Sequence, residues 1–267
     1  MFVRKPAVAG MFYPADPVEL KRYLESVIDK SATKVSPKAI IVPHAGYVYS
    51  GHVAAKAYSV IEPFDTYIVM GPNHTGLGAE ISIFDGIYDM PFGQVYPDEE
   101  LIQRIAENEY VDIDYYAHLQ EHSLEVQLPF IDFVTPNEYK VVTIVVGTQN
   151  ISKLYSIAET VAKAISESDK RILMVVSSDM NHYENQEVTL KKDALAIEKM
   201  ENLDENGLMR VCQTNGITMC GVAPAYVAIA ASKMLGATRC TVLDHRTSGD
   251  VNGDYSQVVG YVAAVIE

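Results

Sequence analysis

The sequence predicts an α/β protein: a single domain over residues 1–267, with a central, mostly parallel or mixed sheet flanked by helices. Three observations predict it. Short β-branched runs alternate with longer stretches of helical spacing, the rhythm of βαβ units. The chain is long enough to bury a substantial core yet short enough for one α/β domain, and no long linker divides it. Three β runs end in turns that carry a histidine (His44, His74 and His182), which suits the carboxyl ends of strands in an open sheet, where ligands bind.

Pro6, Gly10 and Pro14 among apolar residues predict an extended opening segment. Val18 to Ile28 has apolar residues at helical spacing behind Asp16 as N-cap and Pro17 in the first turn, so it reads as the first helix. Ala39 to Val42 is a buried strand stopped by Pro43, with Gly46 and Gly51 turning the chain tightly about His44 before a helix begins near His52. Thr66 to Met70 is the next strand, leading to Gly71, Pro72, Asn73 and His74. The spacing from His44 to His74 suits a βαβ unit of roughly 30 residues. If its two strands are neighbours, both histidines leave the same sheet edge.

A strand over Ala79 to Phe84, a turn at Pro91 to Gly93 and a helix from Asp98 to Glu107 follow. In QEHSLEVQLPFIDF, Gln120 to Phe133, helical geometry would put His122 and Glu125 on one face, and Pro129 predicts a kink or an early end. Tyr139 to Val146 reads as a strand, Ile151 to Ser166 as a helix and Arg171 to Ser177 as a strand ending in Ser178, Asp179, Met180, Asn181 and His182. Helices over Glu187 to Met200 and Asp204 to Gln213 precede a glycine-bounded turn containing Cys220 and an alanine-rich helix over Ala223 to Leu235. Strands over Ala237 to Asp244 and Tyr255 to Val265 close the chain, with HRTSGDVNGD between them as a polar loop at the rim.

A net charge of −14 and a pI near 4.9, without any cluster of Lys and Arg, argue against nucleic acid as a partner. No apolar run approaches the ~20 residues of a membrane span, and the N-terminus lacks the apolar core of a signal peptide, so a cytoplasmic protein is expected. Cys212, Cys220 and Cys240 form no even framework and no CxxC pair, so reduced thiols are expected.

Neutral imidazoles suit zinc, copper, iron and nickel, and non-haem iron sites commonly use two histidines and a carboxylate. His44 and His74 supply such a pair. Cys220, Asp179, His182 and Glu121 are all candidates for the third ligand, and spacing does not choose among them.

The segments VPHAGYVYSG, GPNHTG, EHSLEVQLPF, SSDMNHY and MCG, in this order, resemble the Memo family, also called AmmeMemoRadiSam system protein B. The resemblance covers essentially the whole chain and implies a class III extradiol dioxygenase-like fold, with a metal site at strand ends. Residue by residue it implies His44, His74 and Cys220 as metal ligands, Cys220 standing where ring-cleaving dioxygenases have a glutamate. It matches Asp179, His182 and His122 to polar, acid/base positions of the site. A thiolate donor favours Fe(II), with copper or zinc as alternatives, and the substitution for glutamate tells against aromatic ring cleavage. His52, His118 and His245 have no such match and read as structural.

Two functions from different classes follow. One is an iron-dependent oxidoreductase in which His182 or His122 moves a proton. The other is a binding module that uses the same crevice to recognise a peptide or protein partner. The family's system name implies a functional link to a radical-SAM protein and an AMMECR-type protein, and the substrate is an unknown small molecule or peptide.

Overall fold

The computed structural model describes residues 2–267. In chain order, β1 (Val3–Arg4) and α1 (Pro17–Val27) precede β2 (Ala39–Val42), α2 (Tyr47–Val60) and β3 (Thr66–Pro72). Next come β4 (Ile81–Phe84), β5 (Ile87–Met90), β6 (Gly93–Val95), α3 (Glu99–Ala106), β7 (Asp112–Ile113), α4 (His122–Glu125) and α5 (Leu128–Val134). Then follow β8 (Lys140–Val146), α6 (Ile151–Ser166), β9 (Ile172–Ser177), β10 (His182–Glu184), α7 (Gln186–Glu201) and α8 (Glu205–Asn215). The chain closes with α9 (Val222–Met234), β11 (Cys240–Thr247), α10 (Gly249–Asn252) and β12 (Val258–Ile266).

One mixed sheet organises the molecule, in the order β10-β12-β2-β9-β3-β8-β4-β7 with β11 also on β12. Its centre, β2, β9, β3 and β8, is parallel, while β12 and β4 run antiparallel on either side. Alternate side chains of the central strands face opposite ways, so each strand feeds two cores. Ala39, Ile41, Ile68, Met70, Met174 and Val176 pack with α6 and α9, whereas Ile40, Val42, Tyr67, Val69, Leu173 and Val175 pack with α1, α2 and α5. Burial on both faces explains why these strands are continuous apolar runs.

The predicted α/β fold is the one observed, with particular corrections. The strands leading to His44 and His74 are not neighbours: β9 lies between them, with Val42 opposite Ser177 on one side and Met70 opposite Val176 on the other. The helix expected near His52 begins at Tyr47, because tertiary contacts override the poor helix propensity of an aromatic and β-branched start. Tyr47 is buried and its N–H donates to the Phe12 carbonyl at 2.7 Å. Gly51 is therefore no turn residue. It lies inside α2, where a Cβ would stand 2.1 Å from the Tyr23 hydroxyl.

At the other end of the chain, His245, Arg246 and Thr247 extend β11 instead of opening a loop, since β12 offers each a partner in register. Hairpin β5–β6 uses the expected turn at Pro91 and Phe92, but its strands and the short β7 and β10 carried no legible sequence pattern. No helix among the described residues is long and apolar enough to cross a membrane.

Candidate metal centre

Three parallel strands stop at one edge, and each places a site residue two positions beyond its end: His44 after Val42, Asp179 after Ser177 and His74 after Pro72. Around them opens a cleft of about 640 Å³, lined also by Phe12, His122, His182, Tyr183, Thr218, Cys220 and Val259. A larger groove of about 860 Å³ lies elsewhere, lined by residues including Asp132, Tyr139 and Lys170, and carries no imidazole or thiol.

His44 is buried, and its Nδ1 lies 3.0 Å from Ser177 Oγ. That hydroxyl already spends its proton on the Ser123 carbonyl at 2.6 Å, so it accepts from His44 Nδ1–H and leaves the Nε2 lone pair free. His74 Nδ1 lies 2.8 Å from Glu121 Oε1. A carboxylate accepts only, so Nδ1 is the donor here and Nε2 is the nitrogen His74 has left to offer a metal. His122, the first residue of α4, stacks on His74 with ring centres 4.6 Å apart and lies 5.4 Å from the His44 ring. One nitrogen from each of His44, His74 and His122 falls within 4.8 Å of the others.

Cys220 enters from the turn before α9. Gly221 lets that turn close against β9, since a Cβ there would stand 2.7 Å from the Ser177 carbonyl and 2.4 Å from Ser178 Cβ. The sulfur sits 3.2 Å from His44 Nε2 and accepts the Asp179 N–H at 3.2 Å. Asp179 Oδ1 accepts the main-chain N–H groups of His44 at 2.8 Å and Ala45 at 3.3 Å, so this carboxylate clamps the His44 turn. His182 forms the far wall. Its Nδ1 lies 3.0 Å from the Thr218 carbonyl, so Nδ1 is a donor and Nε2 is the nitrogen not engaged there.

Burial disfavours the charged form of two of the imidazoles. Burial, reinforced by the neighbouring histidines, holds His44 well below the usual histidine range, and burial lowers His122 as well. Glu121 is opposed by burial, yet hydrogen bonds from His74 and the Ser123 N–H bring it down to about 2, so it is a carboxylate. Burial raises Asp179. Burial, and then the nearby Asp179 charge, push the Cys220 thiol far above its ordinary value.

The six residues singled out in sequence (His44, His74, Cys220, Asp179, His182 and His122) thus line one cleft. Glu121, weighed as a ligand, instead has its oxygens committed to His74 and Ser123. Glu125 turns away from the cleft toward Arg4 and the N-terminal segment. His118 and His245 do serve structure: His118 Nε2 lies 3.1 Å from the Ser82 carbonyl and His245 Nε2 lies 2.8 Å from buried Asp193. Ser177 and Arg4 were not foreseen, because a serine ending a strand and an arginine near a terminus carry no local pattern.

Fold and cleft together define a class of protein: an α/β domain that gathers imidazoles around the carboxyl ends of parallel strands, three of them in a group that could hold a metal ion, with a thiol lining the same cleft. The chain belongs to the Memo family, whose family model, described as Memo-like protein, matches residues 4–265. Relatives described as MEMO1 family proteins include one from Aquifex aeolicus, 44% identical over 99% of both chains. One from Sulfolobus acidocaldarius is 42% identical over 98% of both. Among solved structures, an uncharacterized protein from Escherichia coli K12 is similar in fold, with a TM-score of 0.58 at 12% identity over 85% of this chain and 98% of that one.

Proposed function

We propose that the protein is a metal-dependent oxidoreductase whose cleft holds one transition-metal ion, Fe(II) in the first place, with copper or zinc as alternatives. The observation that carries this reading is the convergence of His44, His74 and His122 nitrogens within 4.8 Å, two of the rings having Nδ1 tied to acceptors. Cys220 lies outside that three-imidazole group but beside one of its rings, and it is counted here as a further proposed donor. Two donor atoms that each lie about 2.0–2.3 Å from a shared ion stand roughly 3–3.6 Å apart, and Cys220 Sγ is 3.2 Å from His44 Nε2.

A redox metal here would supply one-electron chemistry. The chain's own groups hold and orient it: Glu121 and Ser177 fix two rings, Asp179 fixes the His44 turn, and the free Nε2 of His182 is placed to move a proton at the cleft wall. The runner-up, a binding module, draws support from Tyr183 at the cleft mouth, 72% exposed and with a left-handed φ of 61°.

Anaerobic reconstitution with Fe(II) followed by elemental analysis tests the reading. One ion per chain is expected, lost in the His44→Ala/His74→Ala double variant. Substoichiometric metal that the double variant does not change overturns it.

A further inference from the structure

Strand β1 contributes no donor to the cleft, yet its arginine grips the segment that does. Arg4 is 2% exposed and lies over the Tyr88 ring, 5.0 Å from its centre. All three guanidinium nitrogens donate into residues 118–125: Nε to the His118 carbonyl at 2.7 Å, Nη2 to the Glu121 carbonyl at 2.9 Å and Nη1 to Glu125 Oε2 at 2.7 Å. The buried Glu125 carboxylate also accepts the N–H groups of Ala7 at 2.8 Å and Val8 at 3.1 Å, and the Tyr13 hydroxyl at 2.7 Å.

This segment is the one that presents the site. Glu121 holds His74, and α4 begins at His122 and ends at Glu125. Arg4 therefore pins the main chain at His118 and at Glu121, and pins the far end of α4 through Glu125. The same N-terminal segment sets the Phe12 ring 4.8 Å from the His122 ring. A guanidinium does this because it is a rigid planar fork with five donors, whereas an ammonium is a point charge that cannot span the three acceptors.

We propose that Arg4 is a positioning residue of the imidazole cluster: its three donors set where His122 stands and, through Glu121, where His74 stands. The proposal rests on reading the cleft as a metal site. Groups that orient metal-binding histidines change affinity by roughly 10–100-fold when removed, and Arg4 acts one step further out, on the main chain that carries His122 and the Glu121 that orients His74.

The test uses Co(II) alone as a probe on the full chain. Arg4→Lys keeps the charge beside Glu125 and gives up the fork. It should weaken Co(II) binding by about tenfold or more, alter the visible bands of the bound ion, and displace the ring NMR signals of His74 and His122 before Co(II) is added. Lys170→Met, which strips buried Asp98 of its partner away from the cleft, controls for lost stability and should leave affinity, bands and ring signals as in the wild type. Should Arg4→Lys not fold, Arg4→Met combined with Glu125→Gln removes both charges and is read in the same way.

A folded Arg4 variant with wild-type affinity, bands and ring signals overturns the proposal. If the wild type itself binds no Co(II), the metal reading falls. The ring signals then decide the role of Arg4, and unshifted signals reject it.

Discussion

Glu121 holds His74 at two points, its Oε2 accepting the main-chain N–H at 2.6 Å and its Oε1 facing Nδ1 at 2.8 Å. One buried carboxylate thus sets both the backbone and the ring of a metal-binding candidate. Glu121→Gln keeps the size but loses the charge and one acceptor oxygen. It is expected to lower Fe(II) or Co(II) affinity by about 10–100-fold while the fold survives. Metal titration followed by optical spectroscopy measures this, and unchanged affinity would separate Glu121 from the site.

If Cys220 is a ligand as proposed, metal binding should depend on pH in a definite sense. Burial and Asp179 keep the thiol protonated at neutral pH, so it becomes a thiolate ligand only by giving up its proton to solvent as the ion enters. Affinity should therefore rise by about tenfold per pH unit for one released proton. Cys220→Ser should flatten that slope between pH 6.5 and 8. Isothermal titration in buffers of different ionisation heat counts the proton directly, and a count of zero in the wild type would remove Cys220 from the ligand set.

His182 separates the enzyme from the binding module. Its Nε2 is left free by the Nδ1–Thr218 contact, and the ring lies outside the three-imidazole group. His182→Ala should retain metal and slow oxidation of a reductant by the iron-loaded protein by about 10²-fold or more if the ring is a general acid or base. Equal rates for wild type and variant across pH 6 to 8 would exclude the proton-transfer role. A wild type no faster than free iron would favour the binding module.

Acid stability should report a histidine that does not line the cleft. Burial lowers His118 to about 3, so below the unfolded value of 6.5 the unfolded chain binds a proton that the folded chain refuses. Stability should then fall with decreasing pH by about 1.4 kcal/mol per unit for this one group, from pH 6.5 downward until its folded pKa is reached. His44, lowered in the same direction, adds to the slope. Urea unfolding of His118→Asn at pH 5 and pH 7 should show a smaller difference than the wild type, and an equal one would contradict the assignment.

Much of this protein was legible from sequence alone, because the information was local. A strand buried on both faces must be a short apolar run, which is how β2, β3, β8 and β9 declared themselves. Asp16 accepts N–H groups at the start of α1, and such capping is written within four residues. His44, His74 and Asp179 could be placed at strand ends for the same reason. Three-dimensional packing alone decided that β9 separates β2 from β3, since strand order depends on how crossover helices pack and leaves no mark in any one window.

Packing also decided the division of labour among side chains of equal promise. Glu121 and His122 are adjacent in sequence, yet one braces His74 and the other joins the imidazole cluster. That difference arises from contacts with Arg4, Phe12 and Ser177, which lie more than fifty positions away along the chain and within a few ångströms in space.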